Sequence, residues 1–123
     1  MLKNILVTGG SGFIGSYIVD HLIKKKYRVT VIDLTKPKRK DVRFIKSNIL
    51  NKKLIRLALK KNKIIFHLAA VSDIDKVKDI PTETIATNVL GTTFLLDEAR
   101  KANIKRFIFA STYYSYGSAG NLY

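Results

Sequence analysis

Three groups of residues in this sequence have types and spacing suited to chemistry. The first is the segment Thr8-Gly9-Gly10-Ser11-Gly12-Phe13-Ile14-Gly15, followed further along by Asp33. The second is Phe66-His67-Leu68-Ala69-Ala70, and the third is the hydroxyl-rich and tyrosine-rich stretch 111–117. Glycine loops expose amides that can surround a phosphate, and hydroxyl groups can hold a reacting oxygen. The three groups therefore favour a phosphate-containing ligand held beside a polar reaction centre.

The glycine segment lies between a predicted strand and a predicted helix, which is where a dinucleotide-binding loop must lie. Gly9 suits the tight turn, Gly12 lets the diphosphate approach the backbone, and Gly15 permits close packing of helix on strand. The diphosphate would lie on the first amides of that helix, those of Phe13 and Ile14. The alternative is a glycine-rich turn that binds nothing.

Asp33 ends the second predicted strand, where its carboxylate can accept hydrogen bonds from the adenosine ribose hydroxyls. This position favours NAD over NADP, because the 2′-phosphate of NADP would bring negative charge against the carboxylate. Lys36, Lys38 and Arg39 follow and could offset part of that repulsion. The alternative is an Asp that only caps a turn at the strand end.

Short apolar runs alternate with amphipathic stretches along the chain, and this alternation predicts strands and helices in turn. The predicted strands are 5–8, 28–33, 43–46, 63–68 and 106–110, and the predicted helices are 12–25, one capped by Asn51, and 82–101. In the first helix, Ile14, Ile18 and Leu22 recur on one face. Right-handed crossovers then give an α/β, doubly wound parallel sheet in the order 3-2-1-4-5, with ligand sites at the strand carboxyl ends.

Composition limits the classes of function. The chain of 123 residues is 46% apolar, which is enough for one domain and too short for a second of similar size. It contains no Cys, which excludes disulfides, thiolate metal ligands and thiol catalysis. Asp73, Asp75 and Asp79 lack the spacing of a calcium loop, so no metal is predicted. Without a secretory signal or a membrane-spanning apolar run, a cytoplasmic protein with no membrane partner is expected.

The formal net charge of +14 could indicate an anionic partner. The cations are dispersed along the sequence, however, and those at 24–26, 60–61 and 100–101 fall at predicted helix ends, where they complement the macrodipole. No aromatic platform accompanies them and no helix-turn-helix pattern is present. Solvated helix ends are therefore the preferred interpretation, and no nucleic-acid partner is predicted.

Several segments resemble the extended short-chain dehydrogenase/reductases of the NAD-dependent epimerase/dehydratase family. The glycine loop matches that family's T-G-x-x-G-x-I-G throughout. Residues 66–70 match F-H-L-A-A, residues 88–92 match N-V-x-G-T, and residues 107–117 resemble F-I-F-x-S-S-x-x-V-Y-G. The resemblance implies a Rossmann-type sheet that is incomplete at its carboxyl terminus, an NAD cofactor, and transient hydride transfer on a hydroxyl of a nucleotide sugar.

The resemblance also implies further cofactor contacts. Asn48 stands where the family has an Asp that contacts the adenine amine, with Ile49 beside it; an Asn that only caps a turn is the alternative. Its amide oxygen can still accept that hydrogen bond, without the charge. Leu68, Ala69 and Ala70 would line the space beside the nicotinamide ribose.

The remaining site residues implied by the resemblance lie on the long helix and after the fifth strand. Asn88 would order the active site from behind, and Thr112, with Ser111 as the alternative, would hydrogen-bond the reacting oxygen. His67 lies inside an apolar strand and is expected to be a packed residue with satisfied nitrogens.

The family's catalytic Tyr and Lys, arranged as Y-x-x-x-K, do not occur in this sequence, which ends at Tyr123. Residues 1–123 are therefore interpreted as one truncated NAD(P)-binding domain that is inactive alone. Its candidate partners are a nucleotide-sugar substrate in the complete enzyme, a separately encoded carboxy-terminal half, and a second copy in a homodimer. A non-catalytic NAD-binding module or sensor is the rival interpretation.

Overall fold

The computed structural model describes residues 4–117, in which five parallel strands form one sheet. The strands are β1 (Asn4–Thr8), β2 (Arg28–Asp33), β3 (Arg43–Lys46), β4 (Ile64–His67) and β5 (Arg106–Phe109). Their order across the sheet is β3-β2-β1-β4-β5. In the central strand, Val7 pairs with Val31 on one side and with Phe66 on the other. The predicted doubly wound order is confirmed.

The helices are α1 (Phe13–Lys24), α2 (Lys52–Leu59), α3 (Ile74–Asp79), α4 (Pro81–Ile85) and α5 (Thr92–Lys101). Between α4 and α5 lies a π-helical turn, Ala86–Gly91, and Tyr113–Tyr116 forms a 3-10 turn. The predicted cap of α2 is confirmed, because Asn51 Oδ1 accepts a hydrogen bond from the Leu54 amide at 3.1 Å. None of the helices within residues 4–117 is long and apolar enough to cross a lipid bilayer.

One core covers each face of the sheet. The α1 face buries Val7 and Val31 against Val19. The opposite face buries Leu6, with Ile32 and Ile65, against α2 and α5. Successive β1 residues point to opposite faces, and Ile5, Leu6 and Val7 are all apolar, as a sheet covered on both sides requires.

The face of α1 that packs on the sheet differs from the predicted one. Its buried residues are Gly15, Val19 and Leu22, whereas Ile14 is 61% exposed. The apolar repeat therefore predicted the helix correctly but gave the wrong inner residue in its first turn. The close contact that Gly15 makes with the preceding loop sets this rotation of the helix.

Candidate functional site

The glycine loop leaves β1 and enters α1 through two close backbone contacts. Gly9 has φ +72°, in the left-handed region that glycine tolerates, and a Cβ added there would lie 2.7 Å from the Ala69 nitrogen. A Cβ on Gly15 would lie 2.0 Å from the Gly9 carbonyl oxygen. The tight turn predicted at Gly9 and the close packing predicted at Gly15 are both present.

Gly12 has different surroundings. It is exposed and caps α1, and a Cβ added to it would touch only the Gly9 oxygen, at 3.4 Å. No side chain caps this end of α1, and its first turn contains no acidic residue. The first amides and the positive end of the macrodipole therefore face open space, which is the arrangement that binds a phosphate.

Asp33 lies beside this loop with both carboxylate oxygens engaged. Its Oδ2 accepts from the Ser11 amide at 2.9 Å, and its Oδ1 accepts from the Thr35 amide at 3.0 Å. The Ser11 hydroxyl in turn donates to the Thr35 carbonyl at 2.6 Å. A carboxylate offers about four acceptor positions, so two stay available for ribose hydroxyls. The turn-capping role and the ribose-binding role are therefore compatible at this residue.

Arg39 is held by two carboxylates in the segment after β2. It donates to Asp20 on α1 at 3.2 Å and through Nε to Asp41 at 2.7 Å. The hydrogen bond with Asp41 raises the pKa of Arg39, and the same bond lowers the pKa of Asp41. Because its guanidinium is engaged, Arg39 is poorly placed to offset a 2′-phosphate, which leaves Lys36 and Lys38 for that effect.

Asn48 and Ile49 differ in their exposure. Asn48 is exposed, and its Oδ1 accepts from the Leu50 amide at 3.0 Å, so it caps a turn while keeping one acceptor position. Ile49 is only 2% exposed and packs beneath Gly91, where an added Cβ would lie 2.6 Å from the Ile49 side chain. Asn48 is therefore suited to contact a ligand, and the Ile49 side chain to support the site.

Residues 68–70 lie against the end of β1. They are held in place by the helical segment 81–101, which consists of α4, the π-helical turn and α5 and is called here the long helical run. The Ala69 amide donates to the Thr8 hydroxyl at 3.3 Å. Asn88, in the π-helical turn, accepts from the Val71 amide at 2.8 Å and donates to the Val71 carbonyl at 2.9 Å. This pair of bonds holds the segment after β4 in place, and the role of Asn88 in ordering an active site stays a prediction.

His67 is a packed residue, as predicted. It is 1% exposed, its Nδ1 lies 2.7 Å from the Thr8 hydroxyl, and its Nε2 lies 2.8 Å from the Thr92 hydroxyl. Because a hydroxyl can donate or accept, either neutral tautomer satisfies both nitrogens. Burial lowers the pKa of His67 to about 4, so the ring is neutral near pH 7.

The two hydroxyl candidates follow β5 at the same edge of the sheet. The Ala110 amide donates to the His67 carbonyl at 3.1 Å, which ties the end of β5 to that of β4. Ser111 and Thr112 come next and are exposed, and the Thr112 carbonyl accepts from the Ser115 hydroxyl at 2.7 Å. Tyr123 lies outside the described residues.

Metal ligands were not predicted, and within residues 4–117 no three His, Cys, Asp or Glu side chains are grouped so as to hold an ion. Asp73 instead caps α3, because its Oδ1 accepts from the Asp75 amide at 3.1 Å. Asp73, Asp75 and Asp79 are all exposed.

A sequence model of the NAD dependent epimerase/dehydratase family matches residues 5–122. The chain belongs to this family. One relative is a dTDP-D-glucose 4,6-dehydratase from Dictyostelium discoideum, which is 34% identical to this chain. The match covers 95% of this chain and 30% of that protein. A UDP-N-acetyl-alpha-D-glucosaminuronate decarboxylase from Bacillus cytotoxicus is 36% identical over 95% of this chain and 39% of its own length.

The fold of this epimerase/dehydratase-family chain is similar to solved structures. The UDP-glucose 4-epimerase of Thermus thermophilus, in complex with NAD, superposes with a TM-score of 0.80 at 32% identity. The match covers 89% of this chain and 38% of the epimerase. The chain thus spans less than two fifths of the length of each of these proteins.

Proposed function

We propose that this chain binds NAD and forms the cofactor-binding part of an oxidoreductase that acts on nucleotide sugars. The main observation behind the proposal is that Asp33 lies beside the open amino end of α1. This places a site for the diphosphate next to a carboxylate that can accept hydrogen bonds from the ribose. Family membership and the NAD-bound epimerase of similar fold support it. Asp33 favours NAD over NADP for the electrostatic reason given above.

Each predicted contact has a chemical role in this proposal. The amides of Phe13 and Ile14 would hold the diphosphate, Asp33 the ribose hydroxyls, and Asn48 the adenine amine. Residues 68–70 would lie beside the nicotinamide ribose, kept in place by Asn88. When bound, NAD would supply a hydride acceptor for oxidation of a sugar hydroxyl.

The protein side of that reaction would begin at Thr112, or alternatively Ser111, whose hydroxyl can hydrogen-bond the reacting sugar oxygen. Removal of the proton requires a tuned acid/base, which the family's Y-x-x-x-K motif provides. The 123 residues contain no such motif. We therefore expect the chain to bind NAD and, on its own, to lack turnover.

Calorimetric titration of the purified chain with NAD tests the proposal. Saturable binding is expected, weakened about 10- to 100-fold in Asp33→Ala because hydrogen bonds to a charged group contribute about 1.5–3 kcal/mol each. Asp75→Ala removes an exposed carboxylate from α3 and serves as the matched control. NADP should compete only weakly. A folded chain that does not bind NAD would overturn the proposal.

A split enzyme is the second candidate. Within the described residues β5 pairs only with β4, and Phe109 at its end is 57% exposed, so this edge of the sheet could receive further structure. Mixing the chain with the carboxy-terminal part of a relative should then yield 4-epimerase or dehydratase turnover. NAD binding without turnover in the mixture would favour the non-catalytic module or sensor.

A homodimer is a further proposal about partners. Ile85, Val89 and Leu96 on the long helical run are 60%, 56% and 48% exposed and offer an apolar surface for a second copy. Sedimentation of the chain and of Val89→Glu would test this. Loss of the dimer is expected in the variant, and a chain that is monomeric at all concentrations would contradict the proposal.

A further inference from the structure

The end of the sheet at which the strands begin lies opposite the proposed cofactor site and is strongly basic. Because α1, α2 and α5 run antiparallel to the strands, their carboxyl ends and the strand starts meet at this edge, called here the amino edge. Twelve lysines and arginines lie there: Lys24, Lys25, Lys26, Arg28, Arg43, Lys60, Lys61, Lys63, Arg100, Lys101, Lys105 and Arg106. All twelve are exposed. They are dispersed along the sequence, but the fold gathers them on one surface.

Complementarity to the helix dipoles does not account for this charge. A helix carboxyl end is equivalent to about half a negative charge, so three helices supply only about 1.5. The carboxylates near this edge are few and already engaged. Asp41 pairs with Arg39, Asp97 with Arg100 and Lys101, and Glu98 with Arg56 and Lys101, so two of the twelve cations are themselves paired. A large excess of positive charge is left.

The cations along the sheet form a row at similar height. Asn4 is in register with Arg28, the Lys63 amide donates to the Asn4 carbonyl at 3.4 Å, and the Lys105 amide donates to the Lys63 carbonyl at 2.8 Å. Neighbouring strands lie about 4.8 Å apart, so charges recur along the row at intervals of about 5–10 Å. Each strand of DNA carries one charge per about 3.4 Å, so phosphates can meet every cation of the row.

Two clefts flank this row. One, of about 340 Å³, lies between α2 and α5 and is lined by Arg56, Lys60, Lys63 and Lys101. The other, of about 360 Å³, lies beside the starts of β2 and β3 and is lined by Arg28, Arg43 and Lys61. Neither cleft includes the glycine loop. Both clefts therefore border the row on the face of the sheet that α2 and α5 cover, and each also contains one carboxylate, Glu98 in the first and Asp41 in the second.

The apolar and aromatic side chains near this row indicate which kind of polyanion the surface suits. Among the described residues, large apolar side chains such as Phe13 and Phe109 are exposed at the opposite end of the sheet. This is the end where the strands finish and the cofactor is proposed to bind, called here the cofactor edge. At the amino edge Tyr27 and Ile104 are half-buried. Leu57, in the last turn of α2, is 43% exposed, but one leucine is not the broad apolar face of a lipid-binding helix, and an aromatic platform for unstacked bases is missing from the described part of this edge.

We propose that the amino edge binds the phosphate backbone of duplex nucleic acid without sequence preference. Contacts from lysine and arginine to phosphates need no base recognition and give affinity that falls steeply with salt. The surface is separate from the cofactor edge, so this binding is independent of the NAD proposal. It is an alternative to the sequence-based expectation that these cations are solvated helix ends and that no nucleic acid binds.

Fluorescence anisotropy with a labelled, mixed-sequence DNA duplex tests the proposal over about 50 to 200 mM NaCl. The test variant carries Lys25→Gln, Lys61→Gln and Lys105→Gln, one from each helix-to-strand turn. The control carries Lys53→Gln, Lys76→Gln and Lys78→Gln, which remove the same charge from exposed positions nearer the cofactor edge. Circular dichroism checks that both variants are folded.

The wild-type chain should bind with a log–log salt slope that the test variant lowers by about 3, with at least tenfold weaker binding at low salt. The control should bind nearly as well as the wild type. Equal losses in both variants would mean a response to net charge alone and would overturn the proposal. Absence of duplex binding, or binding only to vesicles containing phosphatidylserine, would also overturn it.

Discussion

At the scale of single residues, Gly12 and Gly15 separate a ligand contact from a packing contact. Gly15→Ala would place a Cβ 2.0 Å from the Gly9 oxygen, so we expect α1 to shift and the free energy of unfolding to fall by about 2 kcal/mol or more. Gly12→Ala meets only an ordinary contact at 3.4 Å, and the loss of a favoured cap residue should cost less than about 1 kcal/mol. Urea unfolding of both variants measures the difference.

The same variants should differ in cofactor binding. In Gly12→Ala the new methyl group stands at the open end of α1, where the diphosphate is proposed to lie, so NAD affinity should fall about tenfold or more while the fold is retained. Unchanged NAD affinity in a folded Gly12→Ala chain would contradict the proposed position of the diphosphate.

His67 should make the stability of the domain depend on pH. Its folded pKa of about 4 lies below the unfolded value of 6.5, so the unfolded chain binds more protons between these values. The associated stability is therefore present above pH 6.5 and is lost as the pH falls towards 4. The full difference corresponds to about 3 kcal/mol. Urea unfolding between pH 7 and 5 measures the part of this stability loss that occurs before the carboxylates begin to titrate.

A variant separates this effect from other titrations. His67→Gln should be less stable at pH 7, because it disturbs the contacts with Thr8 and Thr92, yet its stability should change less between pH 7 and 5. His21→Gln removes an exposed histidine as the control. If His67→Gln does not fold, NMR titration of the wild-type ring gives the same answer. A ring that titrates near pH 6.5 would contradict the prediction.

At the scale of elements, the π-helical turn determines what its neighbours contact. It holds Asn88 against Val71, presents Gly91 to Ile49, and leads into Thr92 beside His67. A helical segment with a π turn often occurs at a functional site. We infer that this turn aligns the helical run with the segment after β4.

Asn88→Ala tests this alignment. Loss of two hydrogen bonds to Val71, at about 1 kcal/mol each, should free residues 68–72 and weaken NAD binding about tenfold. Hydrogen exchange should accelerate in that segment. Thr93→Ala, which removes a hydroxyl that donates to the Val89 carbonyl of the π-helical turn at 2.8 Å and leaves the bonds to Val71 in place, is the control. Equal exchange rates at residues 68–72 in the wild type and Asn88→Ala would contradict this role.

The elements also show where sequence patterns suffice. Apolar periodicity and the Asn51 cap predicted all five strands and three helical regions, because these signals are local, and the preference for right-handed crossovers then gave the order of the strands. Helix α3 was missed because it is short and buries no residue, although Asp73 supplied a cap signal. The π-helical turn could not be predicted, because it depends on contacts of Asn88 and Gly91 with distant segments. The hydrogen bonds of Asp33 with Ser11 and Thr35 likewise required the folded loop.

At the scale of the whole molecule, the positive charge should destabilise the fold at low ionic strength. A net charge of +14 on a chain of 123 residues repels itself, and the fold concentrates much of it at the amino edge. Raising the salt shortens the Debye length from about 30 Å at 0.01 M to about 8 Å at 0.15 M. The free energy of unfolding should therefore rise with NaCl, by on the order of 1 kcal/mol.

The triple variant of Lys25, Lys61 and Lys105 locates the source of this repulsion. It should be more stable than the wild type at low salt and gain less on addition of NaCl, whereas the triple variant of Lys53, Lys76 and Lys78 should respond more like the wild type. Urea unfolding in NaCl and in sodium acetate at equal ionic strength distinguishes screening, which is the same in both salts, from binding of a particular anion to the cations. A stability that falls with salt would mean that ion pairs such as Arg56 with Glu98 outweigh the repulsion. That result would contradict the expected net repulsion within the fold.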